Sequence, residues 1–394
     1  MASRSRKVPD DESDSSEKKE DTKGFLLLET TGKEKVYRHP DSILIKLPEG
    51  SKTLTTSWLN GGYREDIRYI FNHRVPKSKH APKDLDGGSI PAYLEIIAKR
   101  IGANPKTSTG LLTAANMENV AIVTRSFRGV EVTAVMTAGI EVNGGRVGDP
   151  ASYYQEDGSH QFIQGTINTI LLIGANLPQY AMSRAVMTAT EAKTAALQQL
   201  MAPSRYSTGI ATGSGTDMVA VVSNGTSELL LTDAGHHSKL GELIGKVVIE
   251  CTLKALEQQS DLTPLSQRDV LVRLERFGIV EIDFWKTASH MDGANRKAAF
   301  LKTLREMAKN PVLVGVTSSI LHVADEISWG LLPETAGRKV AVSIMETVPE
   351  MIGIDVSPPF DELADAKDTV VDNWVRVISW FAKNCNIGDL CSSE

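Results

Sequence analysis

"VEVTAVMTAGI", residues 130–140, is the stretch on which the fold turns. Like "NVAIVTRSF" at 119–127, it is rich in β-branched residues and bounded by turn formers, so both segments are expected to be strands. "RG" at 128–129 lies between them and predicts a hairpin. Working outward, "SILIKLP" (42–48), "GTINTILLIG" (165–174) and "DMVAVVS" (217–223) carry the same strand signature. Helical patterns fall at 90–101, 178–201 and 238–257. Hairpins mixed with helices predict an α+β domain of layered sheet and helix, not a strictly alternating doubly wound one. No internal repeat is evident.

The helix expected at 238–257 has the clearest period. Leu240, Leu243, Ile244, Val247, Val248, Cys251 and Ala255 form an apolar stripe. The opposite face offers Glu242–Lys246 and Glu250–Lys254, both Glu-first pairs four residues apart. Gly241 and Gly245 each cost such a helix about 1 kcal/mol relative to Ala, which suggests close approach of a neighbour or a bulky ligand. "QQSDLTPLSQRD" (258–269) reads as a linker, and the chain beyond it is mostly helical. The expected organisation is a disordered Ser-rich and acidic tail over 1–23, a first domain over 24–257 and a mostly helical domain over 258–394.

Composition narrows the function. Of 394 residues 41% are apolar and 23% charged, enough to bury a sizeable core. A formal net charge of −6 argues against a protein that holds nucleic acid by its phosphates. Cys251, Cys385 and Cys391 are widely spread with no C-x-x-C pair, which predicts a reducing compartment and no cysteine-based zinc site. No apolar run approaches the roughly 20 residues that cross a bilayer, so neither a membrane span nor a signal core is expected, and the expected location is cytoplasmic. Assembly into a homo-oligomer is left open.

Several segments could carry chemistry. "GIATGSGTD" (209–217) sets Thr212, Ser214 and Thr216 among Gly213 and Gly215 and ends at Asp217. Such a loop can bring N–H groups, hydroxyls and a carboxylate to one place, or can simply be a tight turn into a strand. No G-K-[ST] closes it, so it is not a phosphate-binding P-loop. "TATEAKTAAL" (188–197) contains Thr188-x-x-Glu191, a capping-box spacing, and also makes Glu191 a candidate general base near Lys193. "AGHHSKLGELIG" (234–245) places His236 and His237 before a helix. Neighbouring helical side chains diverge by about 100°, and the H-E-x-x-H spacing is missing, so a shared metal is not expected. One histidine at a cleft suits proton transfer; a surface or capping role is the alternative. Asn60, Gly61 and Gly62 in "SWLNGGYRED", with Asn143 in "TAGIEVNGGRVGDP", are turn formers whose amides could hold an amide-rich ligand. Cys251 sits on the apolar stripe and is discounted as a nucleophile. His322, Asp325 and Glu326 share a helix face that could hold a divalent cation, although a solvated face is commoner.

Taken in order, "NGG" (60–62), "TAG" (137–139), "GTIN" (165–168), "TATEAKTAAL" (188–197), "ATGSGTD" (211–217) and "AGHHSKLGELIG" (234–245) make the chain resemble the adenosylcobinamide amidohydrolase family over roughly residues 40–256. Ser214 stands where the family pattern has Thr, which keeps the hydroxyl, and His237-Ser238 stands where it has His-Thr. The resemblance implies cleavage of the amide joining the corrin ring to the aminopropanol arm, giving adenosylcobyric acid for cobalamin salvage. It implies a corrinoid substrate whose cobalt is not a protein cofactor, and no protein metal or other cofactor. On this basis His237 is expected to move protons, Glu191 or Asp217 to orient it or activate water, and residues 213–216 to meet the oxyanion. Thr216 or Ser214 as nucleophile is the alternative within the class. Asn60, Gly61, Gly62, Asn143, Asn168, Thr188, Thr212, Gly213, Ser214, Gly215 and His236 are the expected substrate contacts. Rival expectations are a non-catalytic corrinoid carrier or sensor, an amidohydrolase of small amides, and a second activity in the tail. "LHVADEI" (321–327) faintly resembles a helical phosphatase of α-ribazole phosphate.

Overall fold

The computed structural model describes residues 24–76, 78–79, 81–151, 165–365 and 367–385. The tail expectation for residues 1–23 lies outside the described residues. The strands are β1 (Phe25–Glu29), β2 (Lys35–His39), β3 (Ser42–Lys46), β4 (Ser51–Thr55), β5 (Gly62–Arg64), β6 (Tyr69–Arg74) and β7 (Ser108–Thr113). They continue with β8 (Ala121–Phe127), β9 (Val130–Gly139), β10 (Gly144–Gly145), β11 (Thr166–Ile173), β12 (Gly213–Ser214) and β13 (Met218–Asn224). Three long helices accompany them: α1 (Ile90–Arg100), α2 (Gln179–Gln199) and α3 (Lys239–Ser260).

The hairpin β8–β9 forms as its sequence predicts. Arg128 (φ 47°) and Gly129 (φ 85°) both take left-handed backbone, the paired requirement of a two-residue turn that follows the twist of its strands. Phe127 faces Val130, and the ladder runs on to Ala121 opposite Met136. β9 pairs antiparallel with β11, β11 parallel with β13, and β13 antiparallel with β4, giving a six-stranded sheet in the order β5-β4-β13-β11-β9-β8. A second sheet, β1-β2-β3-β6-β7, is antiparallel except for its β6–β7 pair.

Alternation along the strands stacks these sheets between helices. In β11, Ile167, Leu171 and Ile173 pack toward α2 and α3, whereas Ile170 and Leu172 meet Ile43, Ile45 and Ile70 of the second sheet. Leu44 and Phe71 point from that sheet to its outer face, where Leu94 and Ile97 of α1 cover them. The order of layers is therefore α1, five strands, six strands, then α2 with α3, an α+β architecture. The stripe on α3 is buried as its period requires, and Glu242–Lys246 (2.6 Å) and Glu250–Lys254 (2.8 Å) form on its outer face. Gly241 is needed because a Cβ there would lie 2.0 Å from the Gly235 carbonyl oxygen of the loop folding back over the first turn. Gly245 differs from expectation: a Cβ there would meet nothing within 4 Å.

Beyond α3, residues 261–269 lead into α4 (Val270–Leu274), α5 (Glu281–Ser289), α6 (Lys297–Met307) and α7 (Pro311–Ser328). The chain then forms α8 (Glu334–Glu346), the single turns α9 (Val348–Met351) and α10 (Phe360–Leu363), and α11 (Val370–Asn384). These helices share a core of their own around Phe284, Leu304, Ile320, Trp374 and Phe381. Asn310 caps α7, accepting from Val312 N at 2.9 Å, and Trp374 Nε1 donates to Thr317 Oγ1 at 3.0 Å to tie α11 to α7.

A buried histidine in β6 makes stability depend on pH. His73 is 5% exposed, with Nδ1 2.8 Å from Ser42 Oγ and Nε2 3.0 Å from Tyr93 Oη. Burial is the main reason its pKa falls from 6.5 to about 4. The folded-state value is depressed, so this contribution is fully present above 6.5 and is lost as pH falls toward 4. Between pH 7 and pH 5 the expected loss is about 2 kcal/mol. Urea unfolding at the two pH values checks this; His73→Gln is expected to lack that loss, and an equal loss in the variant would contradict it.

Candidate active site

Two glycine-rich segments far apart in sequence are joined by the short ladder β10–β12, which pairs Gly144 with Ser214 and Gly145 with Gly213. Beside it, α2 follows Pro178 and presents Thr190, Lys193 and Thr194 on one face, three and four residues apart. Between them lies a cavity of about 720 Å³. Its walls include Asn143, Arg146, Tyr206, Thr212, Ser214 and Thr216, with those three α2 residues.

The cavity's anchor is an ion pair. Lys193 Nζ lies 2.5 Å from Asp217 Oδ2, with side chains 10% and 12% exposed. Ser214 N (3.0 Å) also donates to Oδ2, while Ser214 Oγ (2.7 Å) and Ile167 N (2.8 Å) donate to Oδ1. Three neutral donors and the Lys193 ammonium converge on this carboxylate and hold the loop. A Cβ on Gly213 would lie 2.4 Å from Asp217 Oδ2 and 2.5 Å from Lys193 Nζ, so only glycine fits beneath the pair. Thr216 Oγ1 donates to Gly165 O at 2.7 Å, which ties that hydroxyl to backbone. Gly215 N–H has no hydrogen-bond partner among the described residues and belongs to the exposed tip of the loop. The loop thus offers one hydroxyl hydrogen-bonded to a carboxylate beside one free backbone donor.

The other expected site residues divide. Asn143 lines the cavity; it is 2% exposed and donates from Nδ2 to Gly165 O at 2.6 Å. Thr212 lines it too, and its Oγ1 accepts from Val147 N at 2.9 Å. Asn168 is not a substrate contact: it is 0% exposed between the two sheets, and its amide donates to Asn72 Oδ1 and Leu112 O, both at 2.8 Å. Thr188 is not a cap, because α2 starts nine residues earlier at Gln179; its hydroxyl donates to Ala234 O at 2.7 Å and holds the loop before α3. Asn60 (φ 50°) staples its turn instead of opening it, donating to Pro105 O at 2.8 Å and Ser108 O at 2.7 Å. Gly61 and Gly62 complete that turn and do not line the cavity.

Glu191 sits next to Thr190 on α2, and its carboxylate is hydrogen-bonded to His236 Nε2. The partner is therefore His236, where His237 was expected. Both histidines are exposed, and His237 makes no side-chain hydrogen bond among the described residues. Neither histidine lines the cavity, and the His236–Glu191 pair stands on exposed surface beside α2. Cys251 is inert by burial, which pushes its thiol up; it donates to Ala121 O at 3.2 Å. In α7, Asp325 does not join a cation site: Arg276 Nη1 and Nη2 donate to its two oxygens at 2.8 and 2.6 Å, leaving His322 with Glu326 at 3.3 Å. Among the described residues no group of three or more His, Cys, Asp or Glu side chains is placed to hold a metal ion. No described helix is long and apolar enough to cross a membrane.

Sequence reasoning missed Lys193 as the partner of Asp217, together with Thr190, Thr194, Arg146 and Tyr206 as cavity wall. The spacing of Thr190, Lys193 and Thr194 was the available signal. The salt bridge itself joins residues 24 apart in sequence.

Comparison with known proteins gives the chain its family. A Methanosarcina mazei protein named adenosylcobinamide amidohydrolase is 30% identical over 235 residues, 57% of this chain and 98% of its own length. An uncharacterized Methanocaldococcus jannaschii protein is 31% identical over 259 residues, 62% of this chain and 96% of its own. A solved structure from Pyrococcus horikoshii covers 56% of this chain and 78% of its own at 13% identity, but its TM-score of 0.30 carries no weight for the fold. The family model described as adenosylcobinamide amidohydrolase (CbiZ) matches residues 27–264. That match spans every residue of the cavity wall, the Lys193–Asp217 pair and the His236–Glu191 pair, so the chain belongs to the adenosylcobinamide amidohydrolase family and is a hydrolase that acts on an amide.

Proposed function

We propose that the cavity beside residues 213–217 binds the aminopropanol arm of adenosylcobinamide and that the chain hydrolyses the amide joining this arm to the corrin ring. The products are adenosylcobyric acid and aminopropanol, as corrinoid salvage requires. The observation that carries this is the Ser214 hydroxyl 2.7 Å from the ion-paired Asp217, next to an unpartnered backbone N–H at Gly215, in a cavity of about 720 Å³. A cavity in the ~300–1,000 Å³ range suits a drug-sized group, so it admits the arm and one edge of the corrin, with the ring at the mouth. Thr190, Thr194 and Thr212 then face the amide side chains on that edge.

Ser214 Oγ attacks the amide carbon and its proton passes to Asp217 Oδ1. The carbonyl oxygen becomes an oxyanion and accepts from Gly215 N–H. The C–N bond breaks as the leaving amine takes up a proton, and water then hydrolyses the ester on Ser214. Thr216 has a lesser part, because its hydroxyl is held by Gly165 O.

Incubation with adenosylcobinamide, with corrinoids separated by HPLC, tests the assignment: adenosylcobyric acid and aminopropanol are expected in equal amounts. Tight binding without release of aminopropanol would make the chain a carrier. The double substitution Ser214→Ala with Thr216→Ala is expected to lower kcat by at least about 10³-fold. Near-normal turnover in that variant would eliminate the covalent route.

A further inference from the structure

The helical half meets the sheet domain at a second, smaller cavity of about 170 Å³. Met201 and Ile210 form one side, Arg273 and Arg276 the floor, and Ser318 and Asp325 of α7 the other side. Arg276 is spoken for: both terminal nitrogens hold Asp325, and Nη1 also donates to Thr208 O. Arg273 is not. Its Nε and Nη1 are buried and have no hydrogen-bond partner among the described residues. Burial first, and the neighbouring Arg276 second, lower its pKa, as expected where positive charge outnumbers negative. Water could satisfy the N–H groups, but it could not balance the charge. The carboxylate that lines the cavity, Asp325, is already neutralised by Arg276.

We propose that this interdomain cavity is a binding site for a small phosphate oxyanion, inorganic phosphate or a compact phosphate monoester, held by the guanidinium of Arg273. A guanidinium matches the oxygen spacing and charge of phosphate, and the apolar walls exclude competing water. The volume limits the organic part to a few atoms. The site bridges α4 to the loop that Pro203 and Ile210 close by their bridge and Ser204 N→Gly209 O closes at 2.9 Å. Tyr206 in that loop lines the catalytic cavity.

The test uses the full chain and follows Tm during titration with sodium phosphate, with sodium chloride at matched ionic strength as reference. Wild type is expected to rise by at least about 2 °C and to saturate. Arg273→Met should lose that response, and should melt above wild type in chloride because it removes a half-buried charge with no countercharge among the described residues. Arg273→Lys keeps the charge and should retain part of the response. Glycerol 2-phosphate in place of phosphate separates the sources: a response to the ester alone assigns an ester site, and a response to both assigns the phosphate group itself. No response to either, or the same response in Arg273→Met, would overturn the proposal. Amide hydrolysis does not depend on this site, so either result leaves that assignment standing.

Discussion

Replacing Lys193 with Met is expected to abolish amide hydrolysis and to destabilise the sheet domain by about 3–5 kcal/mol, the usual cost of removing one partner from a buried ion pair. The pair is close to that limit, with side chains 10% and 12% exposed and a separation of 2.5 Å. Met preserves the aliphatic stem of the side chain, so the loss reports the charge. Asp217 would keep the donors Ser214 N, Ser214 Oγ and Ile167 N but would lose its countercharge. Asp217→Asn should fail comparably, because its amide would turn one N–H group toward a Lys193 ammonium or a Ser214 donor. Since both changes remove the same interaction, the double variant should be less damaged than the sum of the singles. Urea unfolding and turnover of the two singles and the double check this. A Lys193→Met protein within about 0.5 kcal/mol of wild type would mean that the pair is ornamental.

Glu191→Gln and His236→Ala are each expected to lower kcat by about 10²–10⁴-fold, the range for loss of positioned acid–base catalysis. KM should change little, since neither residue lines the cavity. The leaving amine must gain a proton, and we propose that the hydrogen-bonded Glu191–His236 pair, which stands outside the cavity wall, supplies it through water. A carboxylate behind an imidazole fixes which nitrogen carries the proton and stabilises the charged form. The two residues act as one unit, so combining the substitutions should cost little more than either alone. His237→Ala, by contrast, should stay within about tenfold of wild type, because no described residue orients His237. Steady-state kinetics of the four proteins with adenosylcobinamide decide it. A larger loss in His237→Ala than in His236→Ala would return the proton transfer to His237.

Local signals in the chain were legible, and partnerships across it were not. The β8–β9 turn and the α3 stripe follow from residues within about fifteen positions of one another, which is the range that periodicity and turn chemistry reach. The stacking of a second sheet on the first was invisible, because it depends on pairings such as Tyr69–Ser108 and on which strand face meets which. The same limit explains the errors at the site. Asn168 is expected to meet the amide-rich substrate, yet its side chain is the hydrogen-bonding link between sheets. Thr188-x-x-Glu191 has the spacing of a cap, but the helix had already begun, which freed Thr188 to hold the Ala234 carbonyl and Glu191 to reach His236. The loop 213–217 was readable as a site since its glycines, hydroxyls and carboxylate are contiguous. Its anchor Lys193 belongs to another element.

The most direct measurement is the crystal structure of the Glu191→Gln protein with adenosylcobinamide bound. The amide of the aminopropanol arm should lie in the cavity, its carbonyl oxygen within hydrogen-bond distance of Gly215 N and its carbon next to Ser214 Oγ. A corrinoid seated elsewhere, with residues 213–217 untouched by the arm, would contradict this assignment of the reaction.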